Sequence, residues 1–191
     1  MDLTDNTKLN IEGHIKIIDP DSNYVIVDKR NAINNINFSV MIARVLANQN
    51  GLYGIHKMAF GNDGVSVGVL GELTYKTPKT NGILGSLYNE TYQKTVQNDP
   101  ANDPDNNIQY YHTIGNNYSD LVITATLGYS EPEGQPTDDQ TASISDDYVF
   151  NEIGLKTEDN LYLTHVIFHP VLKSSNRKIK IIYTIRITIG E

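Results

Sequence analysis

Alternation of apolar and polar residues is clearest near the C-terminal end of the chain. Within residues 178–189, five isoleucines and Tyr183 share one parity, while lysine, arginine and threonine dominate the other. Successive side chains of a β-strand point to opposite faces of a sheet, so this pattern predicts a strand with one buried face. Two more β-rich runs precede it, at residues 148–155 and 161–169.

Shorter runs of β-branched and aromatic residues predict further strands along the chain. They lie at residues 14–19, 24–30, 55–60, 72–76, 87–96 and 120–129. The first two flank the turn-forming sequence PDSN, which predicts a hairpin. A glycine-rich loop follows the third run, and we expect Gly61 and Gly64 to adopt backbone angles that other residues avoid.

One segment has helical periodicity instead. Its spacing predicts an amphipathic helix from residue 37 onward that docks an apolar stripe on a sheet. Asn37 or Ser39 is expected to cap the N-terminus, and Gly51 stands where a left-handed C-terminal cap belongs. The apolar positions are Phe38, Met41, Ile42, Val45 and Leu46.

Two long segments, residues 97–107 and 131–147, consist mainly of turn-forming and acidic residues and are expected to be loops. The elements together predict a mainly β (α+β) protein: an antiparallel β-sheet or sandwich with one packed α-helix and two long acidic loops. We assign residues 11–191 to a single mainly β structural domain. Residues 1–10 are polar and are expected to form a flexible N-terminal arm that orders on a neighbouring subunit.

Charge and composition exclude several classes of function. The formal net charge is −8, which argues against general affinity for nucleic-acid phosphates. Between Lys94 and Lys156 there is no lysine or arginine, so this part of the chain is either a set of solvated loops or a surface that faces a basic partner or repels DNA. The absence of cysteine excludes disulfides and thiolate chemistry. No apolar run is long enough for a membrane-spanning helix, and the N-terminal sequence lacks the pattern of a secretory signal, so we expect neither a membrane span nor export.

The stretch GVSVG, residues 64–68, matches the G-x-S-x-G pattern that presents a nucleophilic serine in many hydrolases. That motif requires a strand, a tight turn and then a helix. Here strand and turn residues follow, so we expect Ser66 to be a loop residue without a catalytic role. The chain contains neither of the common phosphate-binding glycine motifs.

Candidate metal sites are equally weak. Residues 103–107 have the oxygen spacing of a calcium loop, but Ile108 and Ile114 occupy the positions that require glycine and glutamate. His165 and His169 are four residues apart, which suits zinc on a helix, whereas an extended chain separates them by roughly 13 Å. We therefore expect no catalytic, cofactor-binding or metal-binding residues.

The chain contains twelve tyrosines and no tryptophan. Tyr110, Tyr111 and Tyr118 flank the first acidic loop, and tyrosine is enriched at interfaces. The alternative to half-buried tyrosines at strand edges is a soluble carbohydrate-binding module. Sugar platforms commonly use tryptophan, which counts against that alternative.

Several framework motifs occur in a characteristic order. They are LANQNG (46–51), IHKMAFGNDG (55–64), DLVITATLGYSEP (120–132) and the final stretch from FNEIGL to YTIRITI (150–189). This order resembles virion structural proteins of tailed bacteriophages, of the tail-collar, neck and baseplate type. The resemblance covers about residues 11–190, and its motifs are specific as an ordered set and weak singly.

The resemblance implies a non-enzymatic structural subunit of the virion, assembled in the host cytoplasm. Such a subunit forms a homo-oligomeric ring or collar in the neck, tail or baseplate. It contacts other tail, neck or portal-region proteins and fibres. The family pattern contains no catalytic or metal residues, so none is carried over. The long acidic segments depart from that pattern.

Overall fold

The computed structural model describes residues 8–48, 54–135, 143–144 and 146–190. Within this part of the chain lie eleven strands, one α-helix and a 3₁₀ turn, which confirms the mainly β class with one packed helix. The first strands and the helix are β1 (Lys8–Asp19), β2 (Tyr24–Ile33), α1 (Asn35–Leu46), β3 (Ile55–Gly61), β4 (Val65–Val67) and β5 (Leu73–Tyr75). The 3₁₀ turn (Gly82–Leu84) follows, and then β6 (Glu90–Thr95), β7 (Asn107–Tyr111), β8 (Tyr118–Leu127), β9 (Val149–Thr157), β10 (Thr164–Leu172) and β11 (Ile179–Gly190).

Nine strands form one curled antiparallel sheet in the order β6-β3-β9-β10-β2-β1-β11-β8-β7, and β4 and β5 form a separate hairpin. The ladder between β10 and β2 has two residue pairs, Thr164 with Ile33 and His165 with Ala32. It joins a five-stranded half, from β2 to β7, to a four-stranded half, from β6 to β10. This short junction allows the two halves to enclose one core.

The two edge strands of the sheet, β6 and β7, approach each other at one corner. Gln97 and Asn107 form a parallel bridge there, and the N–H of Ile108 donates to the Gln97 carbonyl at 2.9 Å. Close by, Lys94 of β6 forms an ion pair with Glu131, which follows β8. These contacts fasten the curled sheet at this corner and shorten its open edges.

One hydrophobic core collects side chains from both halves of the sheet and from α1. The predicted buried face of the last strand is confirmed for residues 179–185, whose odd-numbered side chains are all buried. Ile187 is still partly buried against the core, and beyond it the strand leaves the core, because Ile189 is exposed. The most deeply buried members of the core include Ile15, Ile123, Ile181, Tyr183, Met58, Phe60, Ile153, Leu155 and Phe38.

The helix begins two residues earlier than predicted, and neither predicted N-cap, Asn37 or Ser39, is the observed one. Asn34 is the N-cap, because its side-chain oxygen accepts the Asn37 N–H at 3.2 Å. Asn37 instead turns inward and donates its side-chain amide to the Tyr162 carbonyl at 2.7 Å. At the other end the C-cap is Ala47, and Asn48 adopts a left-handed φ of 50°. Gly51, the predicted C-cap, lies outside the described residues.

Several strand boundaries differ from the sequence-based expectations. The glycine-rich loop contains the short strand β4, so Ser66 lies in a strand and its assignment to a loop is wrong. The first acidic segment ends in β7, whose short polar sequence NIQYY gave no clear alternation. β1 begins at Lys8, within the range assigned to the arm. Of the second acidic segment, the described residues lie outside strands and the remainder is outside the described part of the chain.

Candidate functional site

A buried carboxylate and a buried imidazole meet on two adjacent strands of the four-stranded half. Glu152 of β9 and His165 of β10 are both almost completely inaccessible to solvent. Their Oε2 and Nε2 atoms lie 2.9 Å apart. Charged groups are rarely buried without compensation, so this pair is the strongest candidate for a chemical site.

Hydrogen bonds from the backbone saturate the Glu152 carboxylate. Its Oε1 accepts the N–H groups of Asp63 at 3.3 Å and Asn89 at 2.9 Å. Its Oε2 accepts the Tyr88 N–H at 2.9 Å as well as the His165 ring. A carboxylate offers about four acceptor positions, and all four are filled here.

The His165 ring is fixed in the same way. Its Nδ1 accepts the Lys79 N–H at 2.8 Å, so the ring proton resides on Nε2 and is donated to Glu152. Neither ring nitrogen remains available for a substrate or a metal ion. The pair therefore lacks the free acceptor that a general base requires.

Three asparagines extend this network around the loop that follows β3. Asn89 donates to the Asn62 side-chain oxygen at 2.7 Å, and Asn151 donates to the Asn62 carbonyl at 2.8 Å. The Asn151 side-chain oxygen then accepts the Gly64 N–H at 2.8 Å. We call Glu152, His165, Asn62, Asn89 and Asn151 the polar node.

The polar node supplies hydrogen-bond acceptors to residues 76–89, an irregular segment that covers the outer face of β3, β9 and β10. Leu87 of this segment packs with Ala59 and Tyr162 in a second small core. Backbone N–H groups buried in this way need acceptors, which an irregular segment cannot supply to itself. Glu152 and His165 provide those acceptors, so the node acts as a brace between the segment and the sheet.

Sequence reasoning did not find the polar node. It treated His165 as an ordinary sheet residue and Glu152 as part of a framework motif. The feature that could have indicated the node is a glutamate and a histidine inside two strand sequences rich in apolar residues. Such residues are seldom fully buried unless they are paired.

The glycines at the start of this loop are required for a different reason from the one predicted. Gly61 and Gly64 do not have positive φ angles, so the expectation of unusual backbone angles is wrong. A Cβ atom on Gly61 would lie 2.3 Å from the Asn89 carbonyl oxygen. On Gly64 it would lie 3.1 Å from atoms of Asn151 and Ile167. Close approach of the covering segment therefore requires glycine at position 61, whereas Gly64 packs tightly against side chains of β9 and β10.

Ser66 does not have the geometry of a hydrolase nucleophile. It is exposed in β4 and pairs with Thr74 of β5, so a strand rather than a helix follows it. It lines a shallow depression together with Asp63 and Asn62, and no histidine is among the described residues that line it. Asp63 is itself paired with Lys76 at 2.8 Å.

The histidines and acidic residues considered for metal binding are not brought together. His165 is held in the polar node, while the exposed His169 contacts the Tyr75 hydroxyl at 3.4 Å. In the first acidic loop, Asp103 accepts the Asn106 N–H at 3.0 Å and so stabilises a turn. Among the described residues, no group of three or more potential ligands is arranged to hold a metal ion.

The surface tyrosines have separate environments. Tyr110 and Tyr111 are consecutive residues of β7, so their side chains point to opposite faces and do not form one stacking surface. The Arg186 guanidinium lies 4.1 Å from the centre of the Tyr118 ring. Arg186 also makes two hydrogen bonds of 2.8 Å to Asp120, and these lower the pKa of that carboxyl group.

Lys173 is a second buried ionisable group, outside the polar node. Its ammonium group donates to the Gln135 side-chain oxygen at 2.8 Å and to the Ser174 carbonyl at 2.9 Å. Burial lowers its pKa to about 8. Both contacts are to neutral oxygens, so the lysine ties the segment after β8 to the end of β10.

Apolar side chains are exposed on two ordered parts of the surface. The first, which we call the hairpin tip, is formed by Val69 and Leu70 between β4 and β5, with exposed fractions of 102% and 94%. The second lies on and beside α1, where Leu46 is 80% exposed, and Ile83 and Leu84 of the adjacent 3₁₀ turn are each 83% exposed. Within the described residues, no helix is both long and apolar enough to cross a membrane.

Comparison of the chain with models of protein families, with curated protein sequences and with solved structures returned no match.

Proposed function

We propose that this chain is a non-enzymatic structural subunit of a tailed-phage virion, and that copies of it form a ring or collar in the neck, tail or baseplate. Docking of neighbouring virion proteins or fibres follows from that role. The observation that carries the proposal is the set of large apolar side chains exposed on ordered elements, such as Leu70 and Leu84. Exposed apolar patches on a structured surface mark sites of protein association.

The chemistry of the interior supports an architectural role. The only Glu–His pair among the described buried residues has all its acceptors occupied by backbone and side-chain donors. The framework motifs that resemble phage proteins contribute Asn62, Asn151, Glu152 and His165 to that brace. These residues therefore maintain the shape of a part whose work is done at its surface.

Two measurements test the proposal. Native mass spectrometry and light scattering of the purified protein, over a range of concentrations, are expected to detect a closed oligomer. Labelled antibody or a particle reconstruction is expected to locate the protein at the tail end of purified virions. Absence of the protein from purified particles would refute the virion role.

Two controls address the other classes of function. A Ser66→Ala variant is expected to have the same fold and to support particle assembly as well as the wild type, because Ser66 only lines an open strand surface. A glycan array is expected to show no saturable binding. Saturable binding abolished by a Tyr110→Ala substitution would instead indicate the carbohydrate-binding function.

A further inference from the structure

The outer side of α1 and the start of β1 enclose a groove of about 520 Å³. Its apolar walls are Leu9 and Ile11 of β1 and Ile42, Ala43 and Leu46 of α1. The other described residues that line it, Asn10, Asn35 and Ser39, are polar and uncharged. We call this the α1–β1 groove; its volume falls within the roughly 300–1,000 Å³ typical of binding pockets.

The hairpin tip is a suitable occupant because it is both apolar and ordered. The Gly68 N–H donates to the Glu72 carbonyl at 2.8 Å, and the Leu70 N–H donates to the Glu72 carboxylate at 3.1 Å. Gly71 supplies the positive φ, 85°, that closes the turn. The tip is therefore held in a defined shape, and the side chains of Val69 and Leu70 are directed into solvent.

The tip and the groove lie toward opposite ends of strand β10. Val67, which leads into the tip, lines the same depression as Ile144, shortly before β9, and the start of β9 pairs with the end of β10. Near the helix, the Asn34 N–H donates to the Leu163 carbonyl, just before the start of β10, at 2.9 Å. The 9 residues of β10 correspond to roughly 30 Å. A tip cannot fill the groove of its own subunit by a small local movement, but it can reach the groove of another copy.

Charge restricts contact between two copies to surfaces without charged side chains. The chain carries a formal net charge of −8, so two copies repel each other over most of their surfaces. Residues 67–71, VGVLG, contain no charged side chain, and neither do the described residues that line the α1–β1 groove. Association through these two neutral apolar surfaces places the least charge between the subunits.

We propose that the hairpin tip of one subunit inserts into the α1–β1 groove of the next, which makes a head-to-tail contact between identical chains. Because the contact joins two different surfaces of the polypeptide, any open row of subunits has a free tip at one end and a free groove at the other. Such contacts continue until they close into a ring. The inference rests on the proposed ring-forming function and specifies its interface.

Complementation between two variants tests this contact. The tip variant, Val69→Glu with Leu70→Glu, retains a native groove, and the groove variant, Ala43→Glu, retains a native tip. Each variant alone is expected to be monomeric, whereas their 1:1 mixture forms a heterodimer and nothing larger, because one intact contact remains. Asn116→Glu, which adds one negative charge on an exposed turn as the groove variant does in the groove, is expected to assemble like the wild type. Circular dichroism of each variant verifies that it is folded.

The lack of native cysteine permits a second readout. A chain that carries both Val69→Cys and Ala43→Cys is expected to give a ladder of disulfide-linked oligomers on oxidation. A mixture of the two single-cysteine variants is expected to stop at dimers. A chain that carries Ala43→Cys with Asn116→Cys, instead of Val69→Cys, should give no ladder.

The outcomes separate the two proposals. If the wild type assembles and the tip and groove variants assemble equally well, the interface is wrong and the ring-forming function stands. If the mixture of variants remains monomeric while each variant alone is folded, the head-to-tail contact is also refuted. If the wild type is monomeric at every concentration and absent from virions, both proposals fail.

Discussion

At the scale of single residues, the close packing at Gly61 gives the clearest prediction. Gly61→Ala would place a Cβ 2.3 Å from the Asn89 carbonyl oxygen, so the covering segment must move and its hydrogen bonds to Glu152 must lengthen. Overpacking of this kind costs about 1–3 kcal/mol, which we expect urea unfolding to detect. Gly54→Ala is the matched control, since a Cβ there meets nothing within 4 Å and no loss of stability is expected.

Lys173 predicts a dependence of stability on pH. Its pKa is about 8 in the folded protein against an ordinary value of 10.5, so between these values the unfolded chain binds more protons. The contribution of Lys173 to the free energy of unfolding therefore rises with pH through that window. The difference in stability between the wild type and Lys173→Met should shift in favour of the wild type from about pH 7.5 to 9.5. A difference that stays constant with pH would contradict the assigned shift.

At the scale of elements, the N-cap of α1 couples the helix to the 3₁₀ turn. The Asn34 side chain accepts the Asn37 N–H at 3.2 Å and donates to the Gly82 carbonyl at 2.7 Å. Asn34→Ala removes both bonds, and loss of the cap alone costs about 1 kcal/mol. Asn34→Ser keeps a capping oxygen and is expected to lose less stability in thermal or urea unfolding. Equal losses for the two variants would show that the cap contributes little.

Elements with strong periodicity could be predicted from the sequence, and elements defined by distant contacts could not. The alternating isoleucines of β11 and the helical spacing of Phe38 and Met41 place apolar side chains on one face, so local sequence determines them. The start of α1 depends on the contacts of Asn34 with Leu163 and Gly82, which lie far away in the chain.

The candidate site illustrates the same division. The sequence predicted that no helix follows Ser66, because the residues after it lack a helical pattern, and the structure places the β4–β5 hairpin there. The polar node was not predictable, since Glu152, His165 and the N–H groups of residues 76–89 meet only after β3, β9 and β10 have paired. The role of Gly61 likewise depends on a carbonyl that is 28 residues away in sequence.

At the scale of the whole molecule, net charge and apolar surface act in opposite directions on assembly. With a formal charge of −8 per chain, bringing subunits together costs electrostatic free energy, while burial of Val69 and Leu70 favours contact. Salt shortens the range of charge repulsion from about 10 Å at 0.1 M to about 3 Å at 1 M and leaves apolar burial intact. Assembly is thus expected to strengthen as salt is added.

Sedimentation velocity at about 0.05, 0.15 and 0.5 M NaCl and fixed protein concentration measures this dependence. The oligomer fraction of the wild type should rise with salt, and the tip variant, with two additional negative charges, should remain monomeric throughout. An interface built on ion pairs between subunits behaves in the opposite way, because screening weakens attraction between opposite charges. A wild-type oligomer that dissociates as salt is added would therefore place charged residues, rather than the hairpin tip and the α1–β1 groove, at the contact between subunits.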